Sequence, residues 1–327
     1  MQPNPISIVD IFRARQRISQ YIRKTPLEYS TPLSDMLDTK IYMKMENQQV
    51  TGSFKIRGAS NKVLSLSEEE KRRGVTTCSS GNHGRALSYI SQKVGIKAVV
   101  CIPEPVPDNK REAIRNLGGE LIVFGDTADE ALVFADNLVE ERGLTMVHAF
   151  DDPYTIAGQG TIGLELLEDL PDIDTLIIPL SGGSLLSGNA LSLKSIKPSI
   201  RVIGVSQEKG PAMVRSLEAG KVVEIIEEPT IADGLAGGLG EHNSYTYELS
   251  QKLIDYYILV SEEEIMNAIS FMLYKHNQII EGAGAVGIAA ILSGKVKKPG
   301  KNIAVVLSGG NIDTFKLLKI ANQYPHQ

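Results

Sequence analysis

A lysine held between a flexible turn and the start of an amphipathic segment is the first residue of this chain placed for chemistry. Lys55 lies in Thr51-Gly52-Ser53-Phe54-Lys55-Ile56-Arg57-Gly58-Ala59, after Lys44-Met45-Glu46-Asn47 and before an amphipathic run from Ile56 to Leu66. Most lysines are solvated surface charges. Among Gly, Ser and Phe this one is expected to be partly desolvated, which disfavours the ammonium and makes the amine a nucleophile suited to Schiff-base formation.

Three glycine-rich loops strengthen that reading. Ser79-Ser80-Gly81-Asn82-His83-Gly84 precedes a helix expected to start near Arg85. Backbone N–H groups converging at a helix N-terminus suit an anion such as a carboxylate. Ser181-Gly182-Gly183-Ser184 follows an apolar strand and precedes an apolar helix. Its glycines let the backbone approach a ligand, its two hydroxyls add donors, and the helix dipole favours a phosphate. The loop has neither the Gly-Lys-Ser/Thr ending of a nucleotide-binding P-loop nor a dinucleotide fingerprint, so a mononucleotide or a phosphorylated cofactor is the expected ligand. Ser308-Gly309-Gly310-Asn311 ends a third strand and brings a hydroxyl to the end of a sheet. Each loop taken alone is compatible with an ordinary turn, where Gly, Ser and Asn are common.

The elements that must carry these loops alternate. Apolar runs at Val75–Cys78, Ala98–Ile102, Glu120–Phe124, Thr175–Pro179, Arg201–Ser206 and Ile303–Leu307 read as strands, with Ile41–Met45 as an earlier one. Helical spacing covers Ser7–Arg23, Ala86–Val94, Lys110–Leu117, Ala128–Arg142, Thr161–Leu167 and Ser187–Lys194, with Thr25-Pro26-Leu27 as a stop after the first. Short apolar strands joined by helices indicate an α/β protein with open, mainly parallel twisted sheets, in which ligands bind beyond the carboxyl ends of the strands. The length of 327 residues favours two domains. The expected boundaries are near Gly74 and Phe150: residues 1–73 and 150–327 form a large cofactor-binding domain, and residues 74–149 a small substrate-binding one.

Composition narrows the function. A net charge of -5 argues against nucleic-acid binding. No apolar run approaches the ~20 residues of a membrane span, and no basic-then-apolar leader opens the sequence. Cys78 and Cys101 show neither metal spacing nor a disulfide framework, which fits a reducing cytoplasm.

Taken in order, Gly52-Ser53-Phe54-Lys55-Ile56-Arg57-Gly58-Ala59, Ser79-Ser80-Gly81-Asn82-His83-Gly84, Ala157-Gly158-Gln159-Gly160-Thr161, Thr230-Ile231-Ala232-Asp233-Gly234 and Leu307-Ser308-Gly309-Gly310-Asn311 resemble the threonine dehydratase/serine racemase family. These are pyridoxal-phosphate enzymes of the tryptophan-synthase β-subunit fold (fold type II), and the likeness runs from about Ile11 to Asp313. The resemblance implies that Lys55, beside Phe54, holds pyridoxal 5'-phosphate and later acts as base at Cα. It implies that Asn82 bonds the phenolic oxygen and that Ser181, Gly182, Gly183, Ser184 and Leu185 hold the phosphate. Ser308 would face the pyridine nitrogen, and Glu281 would be a carboxylate near the cofactor. Ser79, Ser80, Gly81, Asn82 and His83 would surround the substrate carboxylate, with Ser80 across the cofactor from Lys55 as a possible second acid/base. The implied reaction is loss of the β-hydroxyl of an α-amino acid, L-threonine or L-serine by default, giving a 2-oxo acid and ammonia. The implied assembly is a homodimer.

The sequence also departs from the family pattern. Serines replace the outer two glycines of the phosphate loop. Ser206 and Ala212 stand where cation-binding members carry carboxylates, so no metal is expected there. The chain stops soon after the last motif, so no feedback-regulatory domain is expected. Arg85 follows the first loop at a position often uncharged in threonine dehydratases. It is either an exposed residue of the first helical turn or a contact for a polar extension or second carboxylate of the substrate. The stretch Thr76 to Ala86 also resembles the hydroxyectoine-utilisation dehydratase branch, and a β-hydroxyaspartate-like substrate is a further alternative. A racemase, and a non-catalytic cofactor-binding protein, complete the readings the sequence leaves open.

Overall fold

A computed structural model describes residues 6–240, 243–297 and 299–326. Among these residues ten strands form two sheets: β1 Leu27–Tyr29, β2 Lys40–Lys44, β3 Val75–Cys78, β4 Ala98–Ile102, β5 Glu120–Val123, β6 Thr145–Met146, β7 Thr175–Pro179, β8 Arg201–Gln207, β9 Tyr256–Val260 and β10 Asn302–Val306. The larger sheet has the order β1-β2-β10-β7-β8-β9, and the smaller one β5-β4-β3-β6. The strands of both sheets pair in parallel, except β1 with β2. The fold is α/β with mainly parallel sheets, as the alternation of apolar runs and helices predicts.

Burial explains the near-continuous apolar character of the central strands. Every residue of β4 and of β7 is buried, as expected where helices cover both faces of a parallel sheet. In the large sheet, side chains alternate between two cores. Ile177, Ile203, Ile303 and Val305 enter one; Leu176, Ile178, Val202, Ala304 and Val306 enter the other.

Some elements differ from the sequence reading. Leu27, read as part of a stop, starts β1, because the chain turns back to pair Leu27 with Lys44. The first helix ends at Ile18 rather than Arg23. The helix after the first glycine loop starts at Asn82, not near Arg85, so Asn82, His83 and Gly84 form its first turn. The helix after the second loop starts at Ser184 instead of Ser187. In both cases small polar residues that look like loop supply the opening turn, because Gly81 and Gly183 serve as the N-caps.

One buried ionic cluster ties these parts together. The Arg57 guanidinium is fully buried, with Nε 2.8 Å from Glu46 Oε2 and Nη2 2.7 Å from Glu46 Oε1. Its Nη1 donates to Glu165 Oε1 at 2.6 Å and to Thr161 Oγ1 at 3.1 Å. Lys44 Nζ, also fully buried, lies 2.6 Å from Glu165 Oε2 and donates to the Thr25 carbonyl at 2.7 Å. Burial alone would raise the Glu46 carboxyl; Arg57, Thr25 and Lys44 together hold it below its ordinary value. Two cations and two carboxylates thus lock β2 and the helices Lys55–Ser65 and Thr161–Asp169 into one body.

Removing one partner from such a cluster strands buried charge. Arg57→Leu is expected to lower the free energy of unfolding by about 3–5 kcal/mol. Arg15→Ala, which removes the exposed ion pair with Glu168, should change it by less than about 1 kcal/mol. Denaturant titration of both variants checks the contrast; similar losses would refute it.

Candidate active site

The carboxyl ends of three strands deliver the three loops. β3 leads into Ser79, β7 into Ser181 and β10 into Ser308. The lysine turn is sewn to the third loop: Ser53 bridges Gly309, Phe54 N–H donates to the Ser308 carbonyl at 3.0 Å, and Gly310 N–H donates to the Gly52 carbonyl at 2.9 Å. Lys55 opens its helix half-buried, with Nζ donating to the Ala149 carbonyl at 2.8 Å and lying 5.3 Å from the centre of the Phe54 ring. Burial pulls the amine down to about 8, so about a tenth of it is neutral at pH 7, far more than for a solvated lysine.

Ala149 belongs to a segment that joins the lysine to the second loop. His83 donates from Nε2 to the Val147 carbonyl at 2.8 Å. His148 Nδ1 accepts the Asp151 amide at 2.8 Å, and the Phe150 ring packs edge-on against His148. The Phe150 ring also fills the space beside Gly182, where a Cβ would sit 2.5 Å from it. Gly183 has φ +90°, a conformation that side chains with a Cβ rarely adopt. Among the described residues no hydrogen bond reaches the Gly182, Gly183, Ser184 or Leu185 amides. They stand at the N-terminus of a thirteen-residue helix, an arrangement that attracts a phosphate dianion. Ser184 and Leu185 are buried behind it, and Phe54 packs into the apolar cluster that contains Leu185.

A polar cluster centres on Glu281. Asn82 Nδ2 donates to Glu281 Oε1 at 2.6 Å, and the Asn311 amide donates to Oε2 at 3.2 Å. Asn311 Nδ2 donates to Asn82 Oδ1 at 2.6 Å and to the Thr51 carbonyl at 2.9 Å. Burial, then the charge of Asp233, raises the Glu281 carboxyl to about 7 against the opposing donors Asn82 and Asn311 and the charge of Arg85. Asn82 has two N–H donors; one is engaged by Glu281, leaving the other for a ligand.

Several of the expected side chains have partners within the protein. The His83 ring, expected around a carboxylate, is buried and turned to Val147, and burial followed by the charge of Lys55 drives it down to about 3. Its other ring nitrogen, Nδ1, is buried with no hydrogen-bond partner among the described residues. The Ser181 hydroxyl, expected to point at phosphate, donates to the Leu235 carbonyl at 2.8 Å. Arg85 is half-buried rather than exposed. Ser79 Oγ accepts the Gly81 amide at 3.4 Å, and Ser80 is half-buried beside it. Ser308 is buried under the lysine turn, and Ser206 donates to the Gln207 side chain at 3.1 Å. The sequence reading missed Asn311, Thr51 and the Val147–Asp151 segment as site residues. Asn311 was visible as the polar end of a glycine loop; its pairing with Asn82, 229 positions away, was not.

A desolvated amine, a nest of amides without protein partners and a free Asn82 donor fit an aldehyde cofactor that carries a phosphate and a phenolic oxygen. Residues 18–309 match the pyridoxal-phosphate dependent enzyme family, and the chain belongs to it. It is 44% identical over 318 residues to the L-threonine ammonia-lyase of Thermotoga maritima, across 97% of this chain and 79% of that protein. Maize serine racemase superposes with a TM-score of 0.92 at 36% identity, covering 98% of both chains. The processed threonine deaminase isoform 2 of Solanum lycopersicum superposes at 0.89, also at 36% identity, covering 98% of this chain and 91% of its own.

The raised Glu281 carboxyl has a consequence for stability. A carboxyl held protonated in the fold and ionised in the unfolded chain makes the protein lose stability as pH rises from about 4.5 to about 7. Relative to Glu281→Gln, the wild-type protein is expected to lose roughly 2–3 kcal/mol between pH 5 and 8, at ~1.4 kcal/mol for each tenfold difference in proton affinity between the folded and unfolded chain. Thermal unfolding of both across that range is the check. Parallel curves would show that Glu281 does not titrate there.

Proposed function

We propose that this protein is a pyridoxal-phosphate-dependent ammonia-lyase that eliminates the β-hydroxyl of an α-amino acid. L-Threonine and L-serine are the default substrates, giving 2-oxo acid and ammonia. The observation that carries the reading is the Lys55 amine, drawn down to about 8 beside loops suited to a phosphate and a carboxylate. The names of the threonine ammonia-lyase and threonine deaminase relatives support it.

Pyridoxal phosphate, when bound, supplies the electron sink that makes the Cα–H bond acidic. The residues of the chain do the rest. The amides of Gly182 to Leu185 hold the phosphate, and the free Asn82 N–H meets the phenolic oxygen. Lys55 would be the group placed to take the Cα proton. Ser308 would present a hydroxyl, in place of a carboxylate, to the cofactor's ring nitrogen, a neutral partner that would favour elimination over amino transfer. The loop amides from Ser79 to Asn82 fix the substrate carboxylate, which aligns the reacting carbon with Lys55. The departing hydroxyl leaves as water; the released enamine takes up water and gives ammonia. Ser80 has no hydrogen bond among the described residues, which favours a racemase side reaction as a second reading.

We infer further that the protein works as a homodimer in a reducing compartment. Cys78 and Cys101 are both free thiols. Tyr29, Tyr274 and Ile279 are exposed on segments joined by hydrogen bonds from Ser30 to His276 and from Asn47 to the Ile279 carbonyl. Among the described residues no helix is long and apolar enough to cross a membrane. A Tyr274→Asp variant should sediment as a monomer where the wild type sediments as a dimer; equal sedimentation of the two would reject this surface.

The reaction is tested on purified holoenzyme by its visible absorbance and by release of 2-oxo acid and ammonia from L-threonine and L-serine. Lys55→Ala should lose the visible band and at least about 10³-fold in turnover. Full turnover by Lys55→Ala, or a holoenzyme inert toward every β-hydroxy amino acid, would overturn the proposal.

A further inference from the structure

We infer that Arg85 selects a β-hydroxy α-amino acid whose β-carbon bears a second carboxylate. The inference rests on the elimination reading above and deepens it to a substrate class.

Arg85 follows Asn82 by three residues in the helix Asn82–Val94. Side chains at that spacing share a helix face. The Asn82 amide points to Glu281 and Asn311 in the candidate site, so Arg85 stands on the same side, about 4.5 Å further along the axis. Two features make its state unusual. It is half-buried, yet makes no side-chain hydrogen bond or ion pair with the described residues. It also lies in the first turns of its helix, where the positive end of the dipole disfavours a cation.

The neighbouring acids do not relieve this. Glu281, whose charge acts on Arg85, has one oxygen taken by Asn82 and the other by the Asn311 amide. Asp233, which bears on the same carboxyl, is held by Lys110 at 2.8 Å. A guanidinium has five N–H donors in a fork that matches a carboxylate. Burying part of it unpaired costs free energy unless an anion arrives. The cluster around Arg57 shows the alternative within the same molecule, a buried guanidinium with its donors engaged on two carboxylates.

The anion that suits this guanidinium comes with the substrate. The loop at Gly81 is open, with no atom within 4 Å of where a Cβ would lie, and it receives the α-carboxylate. Arg85, one turn away, receives the second carboxylate of a four-carbon amino diacid. The methyl group of threonine and the hydrogen of serine leave the guanidinium unpaired. With β-hydroxyaspartate the Cα proton and the β-hydroxyl leave as water. Water then adds to the enamine and ammonia departs, giving oxaloacetate with no redox partner.

The test compares kcat/KM for β-hydroxyaspartate and L-threonine in wild-type holoenzyme and in Arg85→Gln and Arg85→Lys. The wild type should prefer the diacid. Arg85→Gln should lower the diacid-to-threonine ratio about 10–100-fold, the range of a charge-assisted hydrogen bond, mainly through KM, and Arg85→Lys should fall between. A second readout needs no turnover: calorimetry of succinate against butyrate binding to the same holoenzymes, with an unchanged visible band as the control for folding. Wild type should bind succinate more tightly, and Arg85→Gln should erase the difference. An unchanged substrate ratio, or a succinate preference that survives in Arg85→Gln, would overturn the role of Arg85. Absence of turnover with every β-hydroxy amino acid would sink the elimination reading instead, and the succinate comparison would still decide Arg85.

Discussion

The fold depends on where four buried charges meet. Arg57, Glu46, Glu165 and Lys44 come from a strand, a 3-10 turn and two helices, and each is nearly or wholly removed from water. A cluster of this kind is weak evidence for stability, since apolar residues of the same volume often do as well. What it provides here is placement. Arg57 is two residues from Lys55 and Glu46 is next to Asn47, so the helix that begins with the lysine cannot slide without stranding a charge. The side chain of Asn47 in turn reaches the Ile279 carbonyl, two residues before Glu281. The cluster therefore fixes both the amine and one edge of the carboxylate site.

With that body fixed, the amine and the carboxyl are tuned in opposite senses by burial. Desolvation alone acts on Lys55 and lowers it to about 8. Glu281 is buried near the charge of Asp233, so desolvation and repulsion raise it to about 7. Both are thus brought close to neutral pH, where proton transfer is most effective. The two are kept apart by what they touch: Lys55 rests on the Ala149 carbonyl, whereas Glu281 is bound into Asn82 and Asn311. Asn82 shares one donor with Glu281, so the ionisation of that carboxyl is coupled to the orientation of the amide that faces a ligand.

Much of this was legible in the sequence because the signals are local. Short, mostly apolar pentads such as Ala98–Ile102 and Thr175–Pro179 identify buried parallel strands, and the structure places both as read. The Thr127-to-Glu130 capping box and Gly143 bracket the helix Ala128–Arg142, whose ends match the reading. What failed needed distant partners. Leu27–Tyr29 is too short to carry a period and is a strand only because β2 lies beside it. Asn82 to Gly84 carry loop chemistry, yet they are helical because the chain leaves Gly81 in a cap conformation. Glu165 gives no local sign that it will neutralise Arg57, 108 positions away. The lysine and its loops were therefore found by residue type, while the groups that tune them came only from the fold.

Arg57 and Arg85 show how that difference separates scaffold from selectivity. Both are arginines near the start of helices that enter the candidate site. Arg57 is answered within the protein by carboxylates on two other elements, and its charge is spent on holding the fold. Arg85 sits where the acids in reach are already bound to other donors, so its donors face a partner the chain itself does not provide. A protein interior leaves few polar groups in that condition. Where one remains at a ligand loop, the physical question is which molecule brings the complement. In the proposed reaction Lys55 and the phosphate nest would be indifferent to the side chain of an amino acid, because they would act on the cofactor and on Cα. Discrimination has to come from a group that meets the β-substituent. Among the described charged residues on the face shared with Asn82, Arg85 is the one with unspent donors, which is why the proposed choice of substrate is assigned to it and not to the machinery for elimination.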